Sequence, residues 1–225
     1  ANNVAIGAAS LDANTTADNN TAVGYNSLGA NTTGANNTAV GYTTLALNTT
    51  GIGNSAFGVN ALQTNTTGVG NSAFGSYHVG SSNAALNSNT TGSSNSAFGG
   101  GSLSANTTAS NNSGFGYRAL ATTTTGASNT AVGARALYAN TTAGTNTAVG
   151  YNAGAAITTG GSNTFVGANV GDSTTDGTSN TAIGVSALGG ADAGDGNTAV
   201  GANAGAACTG EYNIFMGVNA GDTTT

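Results

Sequence analysis

Residues 20–36 read NTAVGYNSLGANTTGAN, and residues 37–53 read NTAVGYTTLALNTTGIG. The second stretch follows the first with no residue inserted and repeats most of it. The Gly that closes the AVG triplet, Gly24 in the first stretch, recurs along the chain at a step of 17 residues, apart from one step of 24 and one of 16. A fixed short period is the signature of a repeat architecture in which each copy forms one structural unit. Each copy is numbered below from its first Asn, so that Asn20 is position 1 and Gly24 is position 5.

The composition excludes several classes of function. Charged residues make up 4% of the chain, against about 25% in typical globular proteins, and none of them is Lys. The chain therefore has too few cations to neutralise the phosphates of a nucleic acid. It has no run of about 18 apolar residues, so we expect no membrane insertion by this segment. One His, one Cys and eight scattered acids offer neither a catalytic triad nor a set of metal ligands, so we predict no enzyme, no cofactor and no metal site.

The residue types within each copy favour strands and turns. Gly, Asn and Thr fill the middle of each copy and are poor helix formers, and a copy of 17 residues is too short for a pair of helices. Short β-branched stretches separated by Gly and Asn are typical of strands and tight turns. We therefore predict two short strands per copy, near T-A-V-G-Y and A-L-x-A-N-T. The predicted fold is all-β, a parallel β-solenoid (β-roll) of about thirteen 17-residue coils.

Position 1 is Asn in every copy. Identical Asn side chains stacked along parallel strands can hydrogen-bond to one another from coil to coil. The sequence therefore predicts a structural Asn ladder. Its members are Asn3, Asn20, Asn37, Asn54, Asn71, Asn95, Asn112, Asn129, Asn146, Asn163, Asn180, Asn197 and Asn213.

Two other positions carry large apolar residues. Position 4 is Ile, Val, Phe or Met, and position 9 is Leu in the earlier copies. Because side chains alternate across a strand, we predict that position 4 fills the interior while the small residue at position 3, such as Ala22, faces outward. The predicted core includes Val23, Val40, Phe57, Phe74, Phe98, Phe115, Leu28, Leu45 and Leu62.

The thin core that such a coil encloses favours assembly with further copies of the chain. A strand that is apolar on both sides is usually covered on both sides. We therefore predict a homo-oligomer, a trimer wound about one axis, with the Ala column at position 3 as the contact between subunits. The alternative is a lone solenoid that exposes a flat face of Ala, Thr and Ser.

The motif N-[ST]-A-[VIF]-G, present as NTAVG, NSAFG and NTAIG, resembles the head repeats of trimeric autotransporter adhesins. The longer form NTAVGYNSLGANTTGAN resembles the shaft repeats of phage tail fibres and bacterial surface fibres. The resemblance covers Asn3 to about Asp222, although the 17-residue period is longer than the usual adhesin head repeat. It implies parallel β-rolls assembled as trimers, in a fibre at a cell surface or on a virion.

The repeat is irregular at two places. The stretch SYHVGSSNAAL at 76–86 adds seven residues, and extra residues in a solenoid coil form a surface loop suited to contacts. Tyr77 and His78 in this loop are the candidate recognition residues. In the last third of the chain the A-L pair at positions 8 and 9 often becomes A-G, and acids gather in the same part. We therefore divide the chain into 1–152 and 153–225, two segments of one continuing solenoid, and expect narrower or altered packing in the second.

Several smaller motifs have an ordinary explanation beside a functional one. The N-x-[ST] triplets match glycosylation acceptors but also suit turns, since Asn and Thr can bond their own backbone. The two acids of GGADAGDGN at 189–197 hint at a calcium loop and equally suit a solvated turn. The Thr columns at positions 2, 13 and 14 suit turns, or a flat hydroxyl array of the kind that solenoidal ice-binding proteins use. The Tyr residues at position 6 suit subunit packing or stacking on glycans.

These observations together predict a structural shaft or spacer in an extracellular trimeric fibre that serves adhesion or host attachment, with a host-surface receptor or glycan as its partner. The alternative is a binding module whose repeated face engages ice or glycans directly. We expect a location outside the cell, at the cell surface or on a virion. Because the sequence opens within one repeat and stops within another, we also expect it to be a fragment of a longer protein.

Overall fold

The computed structural model, which describes residues 2–76 and 83–222, is all-β, with no helix in that part of the chain. Thirteen short parallel strands form a β-solenoid in which a turn takes about 17 residues. The predicted fold class is thus confirmed. The chain divides into two compact units, Ala1–Asn112 and Ser113–Thr225, which are described separately below. The change of repeat type near residue 153 falls inside the second unit.

Each unit is a ladder of three-residue strands that pair in register, so that position 2 of one coil lies beside position 2 of the next, as Thr21 does beside Thr38. Equivalent residues of neighbouring coils therefore stack in columns. The strands of the first unit are β1 (Val4–Ile6), β2 (Thr21–Val23), β3 (Thr38–Val40), β4 (Ser55–Phe57), β5 (Ser72–Phe74) and β6 (Ser96–Phe98). The strands of the second unit are β7 (Ser113–Phe115), β8 (Thr130–Val132), β9 (Thr147–Val149), β10 (Thr164–Val166), β11 (Thr181–Ile183), β12 (Thr198–Val200) and β13 (Ile214–Met216).

Each coil has one strand, at positions 2–4, and the second strand predicted near A-L-x-A-N-T does not form in the described coils. Positions 7 and 9 explain the difference. Asn26 and Leu28 there have φ values of 51° and 52°, in the left-handed region that an extended strand does not use. Turns therefore carry the chain across the far side of the coil, and the only ladder of strands is the one at positions 2–4 of the described residues.

The Gly at position 5 ends each strand and lets the coils stack closely. Gly41 has a φ of 141°, which Gly adopts far more readily than other residues. A Cβ added to Gly41 would lie 2.6 Å from the carbonyl oxygen of Gly58 in the next coil. Both the backbone conformation and the neighbouring coil exclude a side chain here, which explains why every copy has Gly at this position.

The interior is the reverse of the prediction for positions 3 and 4. Ala22 at position 3 is fully buried, so the predicted outward Ala contact between subunits is wrong. The predicted core members at position 4 are wrong as well, because their side chains lie on the outer side of the strands and are half-buried or exposed; these are Val23, Val40, Phe57, Phe74, Phe98 and Phe115. The Leu side chains at position 9, including Leu28, Leu45 and Leu62, are fully buried. They fill the narrow coil and leave room at position 3 for little more than a methyl group.

Where position 9 is Gly, a large side chain at position 3 of the same coil or of the next one fills the interior in place of the missing Leu. Phe165 stands at position 3 of its coil and is fully buried. A Cβ on Gly154 would lie 2.9 Å from the Phe165 ring, and one on Gly171 would lie 2.8 Å from it. Phe215 stands in the same relation to Gly205, at 2.6 Å. The ring therefore occupies the volume that Leu side chains occupy in other coils. The packing in this segment is altered, and its interior stays filled.

Candidate functional site, an outward apolar stripe

Position 4 of successive coils forms a column of apolar side chains on the outer side of the strands, called the outward stripe below. Val132, Val149 and Ile183 are 40%, 38% and 43% exposed. Large contiguous apolar surfaces on folded proteins are commonly interaction sites, which makes this column the candidate. The stripe consists of Ile6, Val23, Val40, Phe57, Phe74 and Phe98 in the first unit, and of Phe115, Val132, Val149, Val166, Ile183, Val200 and Met216 in the second.

Aromatic rings stack along the stripe in the first unit. The ring centroids of Phe57 and Phe74 are 4.7 Å apart, and those of Phe74 and Phe98 are 4.6 Å apart. This distance matches the spacing of about 4.8 Å between paired strands, so the rings form a row because the coils are in register. Beside the stripe, at position 6, Tyr25 and Tyr42 stack at 5.3 Å and remain exposed. These rings add exposed aromatic surface without adding charge.

The Asn column at position 1 lies inside the solenoid. Asn37 is fully buried; its Oδ1 accepts the backbone N–H of Asn54 at 2.9 Å, and its Nδ2 donates to the carbonyl of Gly51 at 2.8 Å. The repeated bond thus joins side chain to backbone. Bonds between the side chains, which we predicted as the main link, are secondary, as from Asn71 to Asn54 at 3.1 Å. The buried members of this column hold the coils together and offer no polar group to a ligand.

A second Asn column, at position 12, lies outside the predicted ladder and is linked from coil to coil by direct side-chain bonds. Nδ2 of Asn48 donates to Oδ1 of Asn31, and Nδ2 of Asn65 donates to Oδ1 of Asn48, each at 2.8 Å. Oδ1 of Asn140 has no donor, because Ile157 takes position 12 in the next coil. These Asn residues begin N-x-[ST] triplets or their variants and are buried, so the folded coils do not present them for glycosylation. The recurrence of Asn at position 12 was the sequence signal for this column.

The two Thr columns of the T-T turn have different roles. At position 13 the hydroxyl donates to the carbonyl of the equivalent Thr in the next coil, from Thr32 to Thr49 at 3.1 Å and from Thr49 to Thr66 at 3.0 Å. At position 14 the side chains are exposed, as for Thr33 and Thr50. Position 13 is therefore structural, and a hydroxyl array open to solvent is formed by position 14.

Two acids of the second unit, Asp192 and Asp195, bridge neighbouring coils. Asp192 accepts the backbone N–H of Thr175 at 2.8 Å and its hydroxyl at 2.7 Å, and Asp195 accepts the N–H of Thr178 at 2.7 Å. Burial raises the pKa of Asp172, against a smaller lowering by a backbone hydrogen bond. No group of three or more His, Cys, Asp or Glu side chains that could hold a metal ion occurs in the part of the chain that the structure describes. The carboxylates of Asp192 and Asp195 are thus hydrogen-bonded to the preceding coil.

Tyr77 and His78, the candidate recognition residues, lie outside the described residues. Across residues 2–76 and 83–222 there is no helical segment with the length and apolar character needed to cross a membrane.

Comparisons of the chain with protein-family models, with curated proteins and with solved structures each gave no match. The class of the molecule is therefore defined by its own fold, that of a parallel β-solenoid repeat protein. The surface feature that distinguishes it is the outward stripe.

Proposed function

We propose that this chain is a structural shaft segment of an extracellular fibre built from three copies, and that the copies meet along the outward stripe. The observation that supports this most strongly is the stripe itself, an uncharged apolar column that is half-buried or exposed at position 4 in both units. Its removal from water would be favourable by about 25 cal/mol for each Å² of apolar surface. The contact surface moves from the predicted Ala column to the other side of the same strands.

Repetition makes this surface suited to self-assembly. Every coil presents the same class of side chain at position 4, so parallel copies around one axis meet at equivalent coils, and each added coil adds the same contact. The likeness of the NTAVG motif to the head repeats of trimeric adhesins is the argument for three copies. A shaft of this kind serves adhesion or host attachment by holding a binding element away from a cell surface or virion.

Val149→Lys should convert the assembly into single chains. Val149 is 38% exposed in the described chain, so a Lys there can reach water while the copies are apart. In the assembly its charge would be buried without a partner, which is strongly unfavourable. Sedimentation equilibrium should give three times the chain mass for the wild type and the chain mass for the variant, with unchanged circular dichroism.

Thr142→Lys is the matched control, because it adds the same charge at an exposed residue of position 14, away from the stripe. It should leave the mass of the assembly unchanged. A monomeric wild type would overturn the proposed assembly, and a dimer would retain the contact surface while rejecting the three-fold fibre.

The exposed Thr column favours ice binding as a second candidate function. Stacked coils space equivalent residues about 4.8 Å apart, so the hydroxyl and methyl groups of this column form a regular row, and a regular row is what a crystal surface can match. The column consists of Thr16, Thr33, Thr50, Thr67, Thr91, Thr108, Thr125, Thr142 and Thr159.

Thermal hysteresis measurements separate the two functions. An ice-binding wild type should hold the freezing point below the melting point, and Thr125→Lys, Thr142→Lys and Thr159→Lys combined should remove that gap. Val149→Lys should leave it intact, because the substitution lies on another column. Absence of hysteresis in the wild type would reject ice binding and leave the shaft as the sole candidate of the two.

A further inference from the structure

Arg118 and Arg135 are the only Lys or Arg residues of the chain, and both lie in the second unit at position 7 of adjacent coils. Their φ values of 56° and 60° belong to the left-handed turn that position 7 makes in other coils as well. Because adjacent coils stack about 4.8 Å apart, the two side chains start from neighbouring points of one column. Two like charges so close together repel unless a counter-charge is present.

Aromatic rings hold both guanidinium groups. Cζ of Arg135 lies 4.8 Å from the ring centroid of Tyr138, and Cζ of Arg118 lies 5.8 Å from the same centroid and 5.7 Å from that of Tyr117. A cation–π contact positions a guanidinium without neutralising it. Within the described residues neither group has a hydrogen-bond acceptor or a carboxylate partner. Their forks of N–H donors are therefore available.

The chain itself has no acid that can serve these arginines. Residues 19–171 contain neither Asp nor Glu, and Asp172 lies two coils beyond Arg135, about 10 Å along the stack. Parallel assembly of like copies would not supply one either, because it brings each coil against the same coil of its neighbours. A carboxylate partner for these arginines would therefore have to come from a different molecule.

Position 6, which directly precedes each arginine in its coil, carries exposed tyrosines on two nearby coils. Tyr117 and Tyr151 are 44% and 54% exposed, and the coil between them has Ala134 at this position. Tyr25 and Tyr42, on adjacent coils, stack directly on one another at 5.3 Å. Tyr117 and Tyr151 are two coils apart, about 10 Å, a spacing that would admit one ring between their side chains, in a slot above the methyl group of Ala134.

We propose that Arg118, Arg135 and these tyrosines form a binding site for a carboxylated sugar, such as a uronic acid unit of an acidic polysaccharide. An Arg fork binds a carboxylate through two parallel hydrogen bonds, and the apolar face of a sugar ring packs against an aromatic ring. A nucleic acid fits less well, because two arginines on a chain of net charge −6 neutralise too few phosphates. The site lies on one chain, so it does not depend on the proposed fibre.

Isothermal titration calorimetry of the whole chain with tri-galacturonic acid tests the proposal. We expect wild-type protein to bind, Arg135→Gln to weaken the affinity at least tenfold, and Arg118→Gln combined with Arg135→Gln to abolish measurable binding. Arg135→Lys keeps the charge but loses the fork and should fall between wild type and Arg135→Gln. Tyr151→Ala removes one wall of the slot and should also weaken binding.

Tyr42→Ala is the matched control, because it removes an exposed ring at position 6 in a unit without arginine, and it should bind like the wild type. A neutral galactose trisaccharide should bind at least tenfold more weakly than the acid. Circular dichroism and thermal melting show that each variant is folded. The proposal is overturned if folded wild type does not bind the acid, if the double variant binds it equally well, or if inorganic phosphate or oligo-dT binds as tightly.

Discussion

Phe165→Ala should lower the free energy of unfolding by about 3–5 kcal/mol, the usual cost of truncating a buried Phe. The Phe165 ring is fully buried and occupies the space beside Gly154 and Gly171. Neither Gly has a side chain that could move into the cavity, so the surroundings cannot refill it. Guanidinium-induced unfolding followed by circular dichroism measures the effect.

Restoring Leu at position 9 should rescue this variant. Leu137, in the preceding coil, has a φ of 50°, close to the 59° of Gly154, so the backbone is already shaped for Leu. We expect Gly154→Leu with Gly171→Leu to recover most of the stability in the Phe165→Ala background and to destabilise the wild type, in which the ring fills the space. Tyr151→Ala, which truncates an exposed side chain, is the control and should lower the free energy of unfolding only slightly. An equally small loss for Phe165→Ala would contradict the conclusion that the Phe165 ring replaces Leu at position 9.

Asn37→Ala should cost about 2–3 kcal/mol, because it leaves a buried donor without an acceptor. Oδ1 of Asn37 accepts the backbone N–H of Asn54 at 2.9 Å, and its Nδ2 donates to the carbonyl of Gly51. The methyl group of Ala replaces neither bond and leaves a void between two coils. The same denaturation experiment measures the loss.

Two further variants separate the hydrogen bonds of Asn37 from its volume. Asn37→Asp keeps the shape but removes the donor and places a carboxylate against the carbonyl of Gly51, so it should cost at least as much as Asn37→Ala. Thr33→Ala, at an exposed residue of the preceding coil, should change the stability by less than about 0.5 kcal/mol. Equal effects for Asn37→Ala and Thr33→Ala would show that the column does not hold the coils together.

The fold class could be predicted from the sequence because its causes are repeated in every copy. The 17-residue step sets the length of a coil, the Asn at position 1 joins coils, and the Gly at position 5 ends the strand where no side chain fits. The number of strands in each coil could not be predicted in the same way. It depends on left-handed φ values at residues such as Leu28, and Leu is an uncommon choice for that conformation.

The side-chain orientations at positions 3 and 4 were predicted wrongly because both positions are apolar. Strand alternation shows only that the two side chains face opposite sides of the strand, and it does not show which side is the interior. A signal was nevertheless present in the sequence. Position 3 becomes Phe at residue 165 where position 9 has become Gly both in the same coil, at 171, and in the preceding coil, at 154. Such an exchange of sizes indicates that positions 3 and 9 share one interior, which leaves position 4 outside.

The candidate sites differ in how far the sequence alone could have revealed them. The outward stripe consists of position-4 side chains, and it was not predicted because these side chains were expected to face the interior. The spacing of 17 between Arg118 and Arg135 places them in one column and could have been noticed, whereas their contact with Tyr138 depends on the path of a turn that residue spacing does not define.

The stacking of nearly interchangeable coils also has a consequence for how the chain finds its native pairing. A strand displaced by one whole copy would regain most of its hydrogen bonds, so mispaired forms lie close in free energy to the native one. Phe165 resists this, because displacement would bring its ring against the buried Leu137 or Leu188 in place of a Gly. The residues that break the repeat thus favour the native pairing of coils over shifted pairings. A variant with a more uniform repeat should therefore refold more slowly and aggregate more.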